Sequence, residues 1–166
     1  MSKEQLYIFD TTLRDGAQTQ GVDFSIDDKE KISSALDKLG VDYVEGGWPG
    51  ANPTDTEFFN KDHNFKSTKL TAFGMTKKSE HSAENDPMLS SLINSKSTSV
   101  CLFGKSWDFQ VDVALGISNE QNIMNISEST KHIVKSGKEF MFDAEHFFDG
   151  YKACLLYTSD AADDRL

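Results

Sequence analysis

Five short apolar runs recur along this chain, and the segments between them carry helical spacing rather than tight-turn signals. LYIFD (6–10), VDYVEGG (41–47), KLTAFG (69–74), TSVCLFG (98–104) and a run within KEFMFDAEHF (138–147) read as buried strands. Ser25 caps a helix whose apolar residues Ile32, Ala35, Leu36 and Leu39 share one face, and Gly40 supplies its stop. Asn52 caps a second helix with Pro53 at its first position. Asp86 and Pro87 open a short third helix carrying Met88, Leu89, Leu92 and Ile93. Ser118 and Gln121 form a capping box for a helix ending near Gly137. With no hairpin joining two strands, the sheet must be parallel with helical crossovers, an α/β fold.

Two architectures satisfy that alternation: an open doubly wound sheet and a closed (β/α)₈ barrel. The residues at the carboxyl ends of the strands help to decide between them. Asp10 with Arg14 and Asp15, then Glu45, Phe73-Gly74, Gly104-Lys105, and Asp143 with Glu145 all occupy such ends. In a barrel those ends converge on one site. An open sheet would instead call for a glycine-rich phosphate loop after its first strand, and none is present. The expected fold is therefore an incomplete (β/α)₈ TIM barrel with about five of its eight units, since a whole barrel takes roughly 250 residues. Residues 1–153 are assigned to the N-terminal part of the barrel domain. The stretch CLLYTSDAADDRL (154–166) continues no strand or helix pattern begun before it and is expected to be a non-native tail.

Charge narrows the partners. Seventeen basic against 27 acidic residues give a net charge of −10, which argues against a nucleic-acid partner while leaving small anions open. No apolar run approaches the ~20 residues of a membrane span. The N-terminus lacks a signal-peptide pattern, so a cytoplasmic protein is expected. Cys101 and Cys154 form neither a disulfide framework nor a thiolate ligand pair. The four histidines show no metal-ligand spacing. His63 and His81 are expected to face solvent from polar loops, His132 to sit on a helix, and His146 to line the mouth beside Glu145.

FDTTLRDGAQ (9–18) carries the clearest chemistry. A carboxylate at a strand end, Asp15, can ligate a divalent cation. Arg14 beside it cannot lose its charge and can stabilise an oxyanion, and Gly16 lets the backbone turn. Arg-Asp-Gly on its own fits a solvated ion pair in a turn equally well.

The wider string LRDGAQ, followed by ten residues and Lys29, resembles the N-terminal signature of the family containing 2-isopropylmalate, homocitrate and citramalate synthases, a family of HMG-CoA lyase-like TIM barrels. VDYVEGGWPGANPTDTEFF, LFGKSWDFQV and FDAEHFFDGYKA are similar to the citramalate branch, and the resemblance runs from about residue 5 to 153. It implies a metal-assisted Claisen condensation of acetyl-CoA with pyruvate, in isoleucine biosynthesis, by a full-length protein that pairs as a homodimer. By the same resemblance Arg14 and Glu145 are the catalytic candidates, Glu145 as acid/base group. Asp15 is the metal-ligand candidate, for magnesium, manganese or zinc. Gln18 and Glu45 are candidate substrate-binding residues, Glu45 fitting a loop carboxylate beside a turn equally well. Lys105, also a substrate-binding candidate, can from its strand-end position meet an anionic substrate or the CoA phosphates, and fits a surface lysine equally well. Gly46 and Gly47 leave room for a ligand to approach the backbone. The family's remaining ligands, a His-x-His pair, do not occur here. The chain expressed alone is therefore expected to be insoluble or inactive. Rival readings are an isopropylmalate or homocitrate synthase using another 2-oxo acid, an acyl-CoA lyase on the same barrel, and a non-catalytic protein that binds an acyl-CoA or a partner.

Overall fold

A computed structural model describes residues 5–153; the suspected tail, 154–166, lies outside the described residues. Five strands make one parallel sheet in sequence order: β1 (Phe9–Asp10), β2 (Tyr43–Gly47), β3 (Lys69–Met75), β4 (Ser99–Lys105) and β5 (Glu139–Glu145). The crossovers are α1 (Ile26–Leu39), α2 (Pro53–Asn60), α3 (Pro87–Asn94), a short α4 (Asp108–Gln110) running into a π-helical turn (Val111–Leu115), and α5 (Asn119–Lys135). A last helix, α6 (Phe147–Ala153), follows β5.

The sheet is curled. Tyr43 on β2 donates its hydroxyl to Glu139 on β5 at 2.8 Å, and Lys69 on β3 reaches the same carboxylate at 2.7 Å. Three strand spacings lie between β2 and β5, roughly 14 Å in a flat sheet, so only a concave face brings those tips together. This is half of a (β/α)₈ barrel, as the alternation predicts.

Period-two alternation sorts the side chains onto two faces. Val44, Leu70, Ala72, Val100 and Leu102 point outward and pack with Phe58 and Phe59 of α2, Leu89 and Leu92 of α3, and Ile133 of α5 in one buried cluster. Each such side chain contributes about 1.5–3 kcal/mol when removed from water. The inward face is polar at mid-height, where the Thr71 and Ser99 hydroxyls bond at 2.6 Å.

The caps form where their residue types require. Ser25 and Asp28 exchange a reciprocal capping box, Asn52 accepts from Asp55 N–H, and Asp86 accepts from two amides at the start of α3. Gly40 ends α1 in the left-handed region at φ 87°. At α5 only half of the expected capping box forms: Ser118 accepts from Gln121 N–H, while the Gln121 side-chain amide donates to Asn125 one turn on.

Two elements depart from expectation. LYIFD forms a ladder only at Phe9 and Asp10, and Leu6, Tyr7 and Ile8 are 85%, 62% and 60% exposed. Ile8 N–H donates to the Asp42 carboxylate. Among the described residues no strand lies on the outer side of this run, where a closed barrel places another. At the opposite edge, Phe142, Phe147, Phe148 and Tyr151 are exposed for the same reason. The second departure is the helical turn after β4 together with α6, neither of which a periodic apolar pattern announces.

Candidate active site

The turn after β1 is wound by its own side chains. Asp10 accepts from Thr12 N–H and Thr12 Oγ, and the Thr11 carbonyl accepts from the amides of Arg14, Asp15 and Gly16. Asp10 is thereby committed to this turn. Leu13 is fully buried and anchors the loop, which aims Arg14 across the inward face.

Three neighbours fix the Arg14 guanidinium. Its Nε donates to Glu45 Oε2 at 2.7 Å, its Nη1 to Asp15 Oδ1 at 3.2 Å, and its carbon lies 3.8 Å from the centre of the Phe73 ring. The stacking adds a cation–π attraction of about 0.5–2 kcal/mol. Both Nη2 hydrogens make no hydrogen bond among the described residues, so this edge can donate to a developing oxyanion.

Glu45 arrives from β2 through a bulge, where Glu45 and Gly47 bracket a register shift against β3. It is 1% exposed. Burial raises its carboxyl above the ordinary value, Arg14 opposes that rise, and the charges of Asp143 and Asp15 add to it. Beneath it, burial with the same Glu45 and Asp143 charges pushes the Cys101 thiol up to about 12. Phe73 and Phe103 stack at 5.3 Å, and Trp48 meets both rings edge-on at 5.8 Å, closing an aromatic floor beside the guanidinium.

A second ion pair lies at the other side of the mouth. Lys105 Nζ donates to Glu145 Oε2 at 2.6 Å, and Ser106 bonds the Glu145 carbonyl through both its amide and hydroxyl. His146 follows with φ 60°, its Nδ1 3.0 Å from Asp149 and its ring 5.8 Å from Trp107. Left-handed backbone at a residue other than glycine is strained and reverses the chain from β5 into α6.

The structure thus gathers Arg14, Asp15 and Glu45 in one cluster and Lys105 with Glu145 in another. Gln18 closes a 3₁₀ turn, and its side chain is exposed. Asp15 is also exposed, with Arg14 as its partner. Gly46 and Gly47 do not leave ligand space. A Cβ at Gly46 would meet Phe58, Phe59 and Leu70, and one at Gly47 the Asp55 carboxylate. His63 does not face open solvent: it packs between Phe58 and Phe65 and bonds the Phe58 carbonyl at 2.9 Å. Among the described residues no three His, Cys, Asp or Glu side chains gather as metal ligands. Phe73 and Trp48 were not singled out as site residues by sequence. Their strand-end positions were the available signal, but an aromatic there looks like any other core residue.

A family model described as HMGL-like matches residues 5–164. The chain belongs to the HMGL-like family. Among curated members, (R)-citramalate synthase of Aquifex aeolicus (strain VF5) is 49% identical over 152 residues, covering 90% of this chain and 29% of that protein. 2-Isopropylmalate synthase 1 of Caldanaerobacter subterraneus subsp. tengcongensis is 32% identical over 146 residues, covering 87% of this chain and 36% of that protein. The chain therefore spans about a third of these HMGL-like relatives' length. Among solved structures, an HMG-CoA lyase from Acinetobacter baumannii in complex with coenzyme A and 3-methylmalate superposes with a TM-score of 0.62 at 15% identity. That match covers 82% of this chain and 44% of the lyase, and it shows the shared fold.

Proposed function

We propose that this chain is the N-terminal part of a citramalate synthase, which condenses acetyl-CoA with pyruvate to citramalate and CoA. The observation that carries the reading is Arg14, held by Glu45 and Phe73 with one guanidinium edge undonated at the strand-end mouth. Higher identity to a citramalate synthase than to an isopropylmalate synthase supports pyruvate as the 2-oxo acid. A structural neighbour on the same fold is in complex with coenzyme A and 3-methylmalate, which is in keeping with a CoA-linked substrate and a hydroxy diacid product.

In this reading a base removes a proton from the acetyl methyl group, and the enolate attacks the keto carbon of pyruvate. The resulting alkoxide takes up a proton, and water then cleaves the thioester to free CoA. Arg14 donates to the oxygen on which charge develops and keeps its own charge throughout. Glu145 is the proposed proton acceptor, held by Lys105 at 2.6 Å. Lys105 also presents positive charge toward an anionic substrate. Asp15 is the proposed contribution to a divalent site. Among the described residues it has no companion ligands, and a Lewis-acid ion takes about three, so no step is assigned to a metal here.

The test is CoA release by the full-length protein with pyruvate, 2-oxoisovalerate and 2-oxoglutarate in parallel. Preference for pyruvate is expected. Preference for 2-oxoisovalerate or 2-oxoglutarate would move the reading to an isopropylmalate or homocitrate synthase. Acetyl-CoA binding without release would make it a binding protein.

A further inference from the structure

Lys29 lies on α1 and is only 3% exposed, yet its ammonium is fully partnered. Nζ donates to the Leu13 carbonyl at 3.0 Å, to the Gly46 carbonyl at 2.8 Å and to the Asp55 carboxylate. An ammonium has three N–H donors, and all three are used. Asp55 is tied down in turn, because its other oxygen accepts from Trp48 N–H and from Asn52 Nδ2, both at 2.8 Å.

The two carbonyls are informative by position. Leu13 immediately precedes Arg14, and Gly46 immediately follows Glu45. The β1–β2 ladder ends at Asp10 and Val44, so it does not hold the next residues of the two strands together. Beyond it, the Lys29 ammonium bridges the backbone on either side of the Arg14–Glu45 contact. A buried ammonium needs a partner for each of its three donors, and which groups supply them is the informative part. This one spends two of its three donors on the loops that carry the candidate site.

We propose that Lys29 is a positioning residue, whose ammonium bridges the Leu13 and Gly46 carbonyls and so sets the spacing at which Arg14 and Glu45 meet. The proposal rests on the reading of that pair as part of the active site. Loss of the bridge lets the loop after β1 slide against the end of β2, moving Arg14 without touching substrate.

The experiment uses the full-length protein carrying Lys29→Met with Asp55→Asn, which removes the bridge without leaving an unpaired buried charge. Hydrogen–deuterium exchange in peptides spanning 11–18 and 44–50 is expected to rise by about tenfold or more, with α5 unchanged. Turnover with acetyl-CoA and pyruvate is expected to fall on the order of 100-fold in kcat, the effect of roughly 1 Å of misplacement, with KM within about threefold. Unchanged exchange in both peptides overturns the proposal, and so does a folded variant whose kcat stays within about threefold of wild type. If wild type itself does not release CoA from these substrates, the functional reading fails and the exchange result alone decides the bridge. Should the double variant not fold, Lys29→Arg serves. It keeps the charge but replaces the compact three-donor ammonium by a longer planar fork, so kcat falling about tenfold at constant KM supports the bridge and unchanged kcat overturns it.

Discussion

The mouth of this half-barrel holds two cation–carboxylate pairs of nearly equal length and opposite character. Arg14–Glu45, at 2.7 Å, has side chains 18% and 1% exposed, while Lys105–Glu145, at 2.6 Å, has side chains 15% and 37% exposed. The first joins β1 to β2 over the Phe73 ring and is enclosed by elements within this span. The second joins β4 to β5, the last described strand, and among the described residues its carboxylate is far less covered than that of Glu45. Equal distances therefore conceal unequal energetics. A buried charge left alone by truncation of its partner costs several kcal/mol, whereas an exposed pair contributes about 0–1 kcal/mol.

The sharpest attempt to break that contrast is Arg14→Ala in the full-length protein. Removing the guanidinium strands the Glu45 carboxylate in the interior, so unfolding free energy should drop by about 3–5 kcal/mol in a denaturant titration. Loss of the oxyanion donor should lower kcat by about 10²–10³-fold in a CoA-release assay. A folded variant with near-normal turnover would remove Arg14 from the chemistry.

How much of this could be read beforehand follows the same division between local and long-range information. The α/β class and the parallel sheet were legible because strand and helix patterns alternate with no hairpin signal between them. The caps at Ser25, Asn52 and Asp86 were legible because each depends on residues within one turn of one another. Arg14 and Asp15 were legible as neighbours for the same reason. Glu45 was named as a candidate, but its bond to Arg14 crosses 31 residues and no periodicity encodes it. The assignment of ligand space to Gly46 and Gly47 failed because the filling groups, Phe58, Phe59 and Asp55, come from the next helix. The ring beneath Arg14 was hidden because Phe73 fits the β3 pattern whichever face it takes. The shortening of β1 was hidden because an apolar run does not reveal which of its sides lacks a neighbour.

A smaller effect sharpens the same comparison from beneath the arginine. Phe73→Leu keeps an apolar side chain but removes the ring face on which the guanidinium lies at 3.8 Å. The lost attraction is about 0.5–2 kcal/mol, to be seen as a reduced denaturation midpoint and a several-fold lower kcat. An unchanged midpoint would show that the Glu45 and Asp15 carboxylates hold Arg14 without the ring.

Lys105→Ala probes the open side. Stability should change by less than it does in Arg14→Ala, since Glu145 is less covered by the described elements than Glu45 is. The kinetic signature should be a raised KM for acetyl-CoA or the 2-oxo acid with kcat little changed. A destabilisation matching that of Arg14→Ala would erase the distinction between the two pairs.

The smallest effect lies in the pH dependence of Glu45. Burial raises its folded-state carboxyl above the ordinary 4.5, with Arg14 limiting the rise. The native protein therefore holds this proton at a pH where the unfolded chain has released it. The stability tied to that proton is fully present below 4.5 and is lost as pH climbs through the folded value. Glu45→Gln has no such proton, so its stability minus that of wild type should grow as pH rises from 4.5 toward neutrality. Differencing the two proteins matters, because Asp37 runs the other way. Amides of Lys66, Thr68 and Ser67 lower its carboxyl to about 2, so its contribution is lost only as strongly acidic pH is approached. Denaturation of both proteins at several pH values gives the difference directly. If it shrinks as pH rises, the arginine rather than burial dominates at Glu45, and the enclosed pair is wetter than its geometry implies.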